Sequence, residues 1–306
     1  MKTNTNELAQ HIGSPRRGVR EIVVISGKGG TGKTTVTACL ADIMPGKIVV
    51  DADVDAANLY ILMKPKDIRG THFKGKSLAE INTDLCVSCD RCKELCRFHA
   101  IDIINSHYKV DHFSCDGCGL CKIACPVNAI KMKEQVVGKW FTSQTEFGDF
   151  VYARLTPGAE NSGHLVTMVK HQAKLTAEEK KIETLLIDGP PGIGCPVISA
   201  ISGSDLAIIL TEPTYSGISD LQRVFDLTTH FGLKSGIVIN RFDINLENTK
   251  EIETFAGGKG VPVIAKIPHS HCIIEEISTC NVPSRNCKFL SRQVEKIYEY
   301  IETELK

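Results

Sequence analysis

The 306-residue chain has no surplus of either charge, with 36 Lys and Arg against 36 Asp and Glu. Without a net field it exerts no long-range pull on nucleic acid or anionic lipid, which argues against a DNA-coating or membrane-surface role. Long apolar runs are missing too. Stretches such as Leu206–Leu210 fall far short of the roughly 20 residues a membrane span needs, and the opening MKTNTNELAQHIG has no apolar core of the kind a secretory signal carries. These absences predict a cytoplasmic protein with neither membrane nor nucleic acid as a partner. No Cys-His nucleophile pattern of a glutaminase is evident either, which speaks against an ATP-dependent amide-forming enzyme.

Cysteine, by contrast, is abundant. Eight of the thirteen fall into two runs, Cys86, Cys89, Cys92, Cys96 and Cys115, Cys118, Cys121, Cys125, each spaced C-x2-C-x2-C-x3-C. In a secreted chain such a count would suggest disulfides; this spacing beside a nucleotide loop argues for a reducing compartment and free thiolates. The runs are halves of a repeat, since CVSCDRCKELCRFHAI from Cys86 returns as CDGCGLCKIACPVNAI from Cys115, offset by 29 residues. Three thiolates at these spacings wrap one cube of iron and sulfide, and the fourth crosses to the other cube. That assigns Cys86, Cys89, Cys92 and Cys125 to one 4Fe-4S cluster and Cys115, Cys118, Cys121 and Cys96 to the second. Zinc also uses C-x2-C pairs but does not require the duplicated third and fourth cysteines. Pro126 follows the second run as in ferredoxins, whereas Arg97 follows the first; Arg97 and His99 either tune a cluster or simply face solvent. Among the remaining thiols, Cys39 is expected in the core. His269, His271, Cys272, Cys280 and Cys287 lie close in sequence but are irregularly spaced for a metal site.

The other motif is GKGGTGKT, Gly27 to Thr34, between the β-rich EIVVIS and a helical run Lys33–Ile43 stopped by Met44, Pro45 and Gly46. Gly27, Gly29, Gly30 and Gly32 let the backbone curl so that its N–H groups point at phosphate oxygens, at the positive end of the following helix. Lys33 is expected to neutralise the β and γ phosphates and Thr34 to bind Mg2+, with Thr31 and Thr35 completing the nucleotide contacts. Further apolar runs at 47–51, 184–188, 205–211, 236–240 and 262–267 alternate with helical segments such as Ser219–Phe231. This pattern predicts an α/β fold with a parallel sheet covered on both faces. The cysteine block, 82–133, interrupts it as a small inserted α+β unit, leaving 21–81 and 134–306 for the nucleotide domain and 1–20 as a polar leader. Ser284–Lys306 reads as an amphipathic helix packed on the core.

Lys28 gives the loop a second lysine. With VVDADVDAANL (Val49–Leu59), LLIDGPPGIG (Leu186–Gly194), the stretch Gly138–Val166 and the cysteine insert, the chain resembles MinD/ParA-superfamily P-loop ATPases that contain an inserted ferredoxin domain, along nearly its whole length. The superfamily includes the nitrogenase iron protein. The resemblance implies a homodimeric sandwich in which Lys28 reaches the partner's nucleotide. It implies that Asp53 positions the attacking water, Asp51 lies near the metal, and Asp188 holds Mg2+ through water. It also places Gly192 near the γ-phosphate and Asn240 at the base. Asp55 reads equally well as a helix cap. Asn240, Arg241, Phe242 and Asp243 also approximate the guanine-reading N-K-x-D, so GTP is the alternative to ATP. His164 stands where the family is expected to carry lysine. Cys195 matches in place a cysteine that ligates a shared cluster in the nitrogenase iron protein, but the expectation here is a small buried thiol under the Pro190–Pro191 turn. The function expected is a Mg-ATP-driven dimeric switch whose two 4Fe-4S clusters pass electrons to, or handle iron-sulfur clusters for, a partner protein. The alternative is a positioning ATPase of the ParA or MinD kind with structural or sensory clusters.

Overall fold

The computed structural model describes residues 18–158 and 162–306, so most of the expected polar leader lies outside the described residues. The strands are β1 (Arg20–Ser26), β2 (Lys47–Asp51), β3 (Lys66–Ile81), β4 (Ile101–Ile104), β5 (His107–Val110), β6 (Ile130–Thr145), β7 (Gly148–Leu155), β8 (Thr184–Pro191), β9 (Leu206–Thr211), β10 (Lys234–Asn240) and β11 (Val263–Ile267). The helices are α1 (Lys33–Ile43), α2 (Leu59–Met63), α3 (Arg91–Glu94), α4 (Leu120–Ala124), α5 (Ser162–Lys180), α6 (Cys195–Ile201), α7 (Tyr215–His230), α8 (Leu246–Lys259), α9 (His271–Ser278) and α10 (Lys288–Glu304).

Alternation along β1 explains the layering. Val23 and Ile25 enter one apolar cluster and Ile22 and Val24 another, so both faces of the strand are dry. The nine-stranded sheet runs in the order β11-β10-β9-β1-β8-β2-β7-β6-β3. Neighbours from β11 to β7 are parallel, as the apolar runs imply. The last two strands are not: β6 lies antiparallel to β7, and β3 antiparallel to β6, so the sheet is mixed at this edge. β3 and β6 form a ribbon of two 16-residue strands, held along its exposed part by cross-strand pairs such as Lys74–Glu134 and Lys133–Glu80. The cysteine insert grows from the end of this ribbon. Of its expected limits, 82 follows the last residue of β3, while 133 falls inside β6.

On the opposite edge α10 buries Leu290, Val294, Ile297 and Ile301, as an amphipathic helix should, though it starts later than Ser284. Cys39 is fully buried. Cys272 and Cys287, expected as free thiols, are joined in a disulfide because the packing of α9 beside the start of α10 brings them together. Among the described residues no helix is long and apolar enough to cross a membrane.

One buried ion pair locks the end of the sheet opposite the phosphate loop. Glu21, at the start of β1, meets Lys170 at 2.9 Å and Lys174, both from α5. Lys170 also donates to the carbonyls of Ala200 and Ser202 at 2.6 and 2.8 Å, closing the C-terminal end of α6. Burial lowers the Lys170 pKa while Glu21 opposes the shift. Truncating Lys170 leaves the buried carboxylate only the half-exposed Lys174 as a partner and strands the helix-end carbonyls. Lys170→Ala should therefore cost about 3 kcal/mol of unfolding free energy, read from denaturant midpoints, against near-neutrality for exposed Lys180→Ala.

Candidate functional site

The phosphate loop joins β1 to α1, and its glycines are placed by close approach. A side chain at Gly27 would collide with Asp220 of α7, and a Cβ on Gly32 would lie 2.5 Å from the Asn240 amide. Gly32 also needs its φ of 93°, the left-handed turn into the helix. Gly29 and Gly30 are exposed at the mouth of the loop, and the Thr31 side chain is buried beneath it. Asn240, expected at the base, donates through Nδ2 to the Thr31 carbonyl at 2.8 Å and accepts the Arg241 N–H at 3.0 Å. In the structure it clamps the loop. Beside it lies a pocket lined by Gly32, Thr35, Asn240, His269, Ile273 and Ile277, open to the loop and apolar on its far wall. The Asp243 carboxylate faces away from an N-K-x-D role, accepting the His269 N–H at 2.7 Å.

Strand ends bring the carboxylates together. Asp51 and Asp188 are directly paired across β2 and β8, and both are fully buried. Asp188 accepts from Thr34 Oγ1 at 2.7 Å and from Thr37 Oγ1 at 3.1 Å. Asp51 accepts the N–H groups of Asp53 and Leu59, each at 3.1 Å, which fixes the turn after β2 and the start of α2. Burial pushes Asp188 up to about 6, against the Thr34 hydrogen bond and the Lys33 charge. Asp51 is pushed well above the carboxylate range by burial and by Asp188 and Asp53. Asp53 is raised by burial, with Lys33 opposing. Lys33 is lowered by burial in spite of all three carboxylates. Three carboxylates around one ammonium leave an excess of negative charge when ionised, and a divalent cation held through oxygen at Thr34 and Asp188 fits that surplus.

Lys28 turns back onto its own chain. It forms an ion pair with Glu212 and donates to Thr214 and Ser216 hydroxyls at 3.1 and 3.3 Å. Arg241 holds the other oxygen of Glu212 at 3.1 Å. Gly192 donates to the Ser26 carbonyl at 2.9 Å, tying the segment after β8 to the base of the loop. Asp55 is exposed and α2 is headed by Asn58, so of the two readings open for Asp55 the helix cap is not seen. Cys195 is exposed at the head of α6, contrary to the buried position expected, because the helix begins at that residue and turns it outward. His164 packs edge-on against Phe73 at 5.4 Å.

The cysteine insert repeats its geometry as well as its sequence. Left-handed residues recur at the 29-residue offset: Ser88 and Gly117, Asp90 and Gly119, His99 and Asn128. Sulfur contacts recur likewise, with Ala100 N–H on Cys96 Sγ at 3.4 Å and Ala129 N–H on Cys125 Sγ at 3.2 Å. Each half also bonds the other, Asn82 to Ala129 and Asp111 to Ala100, both at 2.8 Å. Cys86, Cys89, Cys92 and Cys125 line one cavity. Cys96, Cys115, Cys118 and Cys121 line a second. Burial raises the Cys92 and Cys121 thiols, so a metal group entering either cavity must displace protons. Among the described residues no three His, Cys, Asp or Glu gather closely enough to hold a single ion, at the insert or at His269–Cys287. Four thiols spread around a cavity suit a multinuclear cluster better than one tetrahedral zinc, whose sulfurs all sit about 2.3 Å from the metal.

Comparison with known proteins places the nucleotide half. The model of the CobQ/CobB/MinD/ParA nucleotide binding domain matches residues 22–281. The chain belongs to this family. An uncharacterised protein of Methanocaldococcus jannaschii is 30% identical over 92% of this chain and 98% of its own length. The septum site-determining protein MinD of Pyrococcus horikoshii, solved with Mg-ADP, superposes with a TM-score of 0.55 at 20% identity, covering 92% of this chain and 95% of that one. Pyruvate synthase subunit PorD of Methanothermobacter marburgensis is 38% identical over 55 residues, 18% of this chain and 64% of that protein.

Within this CobQ/CobB/MinD/ParA member, two site residues escape a reading of the loop alone. Thr37 lies three positions after Thr34 on the same helix face, a spacing that marks both as able to reach Asp188. Glu212 ends β9 in the string Thr211, Glu212, Pro213, and only the fold brings it to Lys28. The buried carboxylates predict a trade of stability for function. Asp188→Asn should abolish Mg-dependent ATP hydrolysis while raising the melting temperature of the nucleotide-free chain at neutral pH. A carboxyl whose folded pKa is raised costs stability above that pKa and costs nothing below its unfolded value. The melting difference should therefore shrink as pH falls through about 6 towards 3.8.

Proposed function

We propose that this MinD/ParA-type ATPase binds and hydrolyses Mg-ATP in a homodimer and carries two 4Fe-4S clusters through which it passes electrons to a partner protein. The carrying observation is the sorting of eight thiols into two cavities, three from one run and the last from the other in each. The relation to a pyruvate synthase subunit over a stretch of about the insert's length supports the same reading. When bound, the clusters supply one-electron chemistry.

Residues of the chain divide the remaining work. Loop N–H groups and Lys33 bind the phosphates, Thr34 and Asp188 hold Mg2+, and Asp53 orients the water for attack on the γ-phosphate. Thr35 and the apolar pocket wall take the base, and commitment of Asp243 to the His269 N–H favours adenine over guanine. Lys28 exchanges Glu212 for the partner's phosphates when two copies close, and Gly192 carries that state to the segment after β8. The insert packs around its own small apolar cluster, apart from the two that hold the ATPase sheet together. Clusters there support the insert alone, which argues against a structural service to the ATPase and for contact with a partner. A fourth thiol supplied by the other run would tie each cluster to both halves of the insert, which favours a cluster that is retained over one that is handed on. A cytoplasmic location agrees with such chemistry.

Anaerobically purified chain should hold about eight irons and as much sulfide, and Cys118→Ala should lose about half. Stoichiometric zinc without sulfide would end the cluster reading. Turnover of ATP should differ between oxidised and reduced chain; equal rates would favour the positioning-ATPase alternative. Lys33→Ala should lose tight ATP binding, whereas Lys28→Ala should bind ATP as a monomer and hydrolyse it at least tenfold more slowly.

A further inference from the structure

The pocket beside the phosphate loop is walled by a helix that the core scarcely holds. α9 is eight residues long with no buried residue, well under the length at which a helix is stable by itself. Yet Ile273, Ile274 and Ile277 of this helix line the pocket opposite Thr35 and Asn240. Its entry is pinned by the His269 N–H on Asp243. Its first turn is pinned by the disulfide from Cys272 to Cys287, a buried residue immediately before α10. Leu290 of α10 contributes to the same pocket, so the bond ties a marginal wall to a rigid one. The two cysteines are 15 residues apart, and α9 from Cys272 onward lies in the loop that the bond closes. Neither belongs to the eight thiols of the insert.

We propose that Cys272 and Cys287 are a reversible thiol–disulfide switch that sets how tightly this pocket holds the base of a purine nucleotide; the proposal rests on the pocket being the base side of the ATP site. Oxidation removes one hydrogen atom from each thiol, and a low-molecular-weight disulfide takes up both and leaves as two thiols. A dithiol reverses the step and departs as its own disulfide. With the bond made, α9 is fixed and the wall is formed before nucleotide arrives. With the bond open, α9 moves off α10 for part of the time, and apparent affinity falls by the fraction of chains that lack a wall. In a protein whose other thiols suit a reducing compartment, an isolated disulfide at a ligand pocket is the pattern of a redox-sensing pair rather than a structural staple.

The test uses the full chain, anaerobic, in buffers of oxidised and reduced dithiothreitol, with the Cys272–Cys287 state established by peptide mass and ATP affinity by calorimetry. Reduction should weaken ATP binding about tenfold and oxidation should restore it. Cys272→Ser should sit at the weaker affinity in both buffers, and Cys280→Ser, at the far end of α9, should respond as the native chain does. Equal affinity of the native chain in the two buffers would overturn the switch without needing any variant. A Cys272→Ser chain that still responds would overturn it as well, by assigning the response to the insert. Failure of every form to bind ATP would refute the base-pocket reading and the switch with it.

Discussion

Three carboxylates from the ends of β2 and β8 converge on one lysine at the head of α1, and the rest of the molecule is arranged to keep them there. Asp51 and Asp188 are fully buried neighbours across two parallel strands; burial raises both, and Asp188 and Asp53 raise Asp51 further. Each is held by hydrogen bonds from the chain: Thr34 and Thr37 on Asp188, backbone N–H groups on Asp51. The chain tolerates this charge because two apolar layers fix the strands that carry it. Stored charge of this kind is useful only with a counter-ion and a polyphosphate to receive it, which is why the family relation and the geometry lead to the same chemistry.

The eight thiols that line the two cavities lie at the far end of a ribbon. β7 joins this ribbon to the carboxylate strands, pairing with β2 at Asp51 through Tyr152 and with β6 at Phe141 through the same residue. Tyr152 stacks on Phe141 at 4.8 Å and on Tyr60 of α2 at 6.1 Å, so aromatic contacts run from the turn after Asp51 to the root of the ribbon. A change in the carboxylate turn is thereby in mechanical contact with the strand that leads to the cysteines. Lys28 and Glu212 form their ion pair on the other side of the loop.

Features set by local spacing were legible in the sequence. The glycine loop, its helix and the buried strands follow from patterns a few residues long, and the partition of cysteines between cavities follows from a 29-residue repeat. The ribbon was not legible, because β3 and β6 alternate Lys, Gly and half-exposed residues and give neither an apolar run nor a clean period of two. Nor were partners fixed only by packing. Glu212 meets Lys28 after most of the fold intervenes, and Cys272 meets Cys287 because α9 lies beside α10, which irregular spacing does not announce. Cys195 was misplaced for a related reason: the turn after Pro191 ends one residue before it, and the new helix points it to solvent.

The central claim is that nucleotide state and the clusters communicate within one chain. Its most direct measurement is the midpoint potential of the reconstituted clusters, followed by electron paramagnetic resonance during redox titration with and without a slowly hydrolysed ATP analogue. A tenfold coupling between the two sites shifts a one-electron potential by about 59 mV. The account predicts a shift of that order with the analogue, absent in Lys33→Ala. Potentials that superpose with and without nucleotide would contradict it.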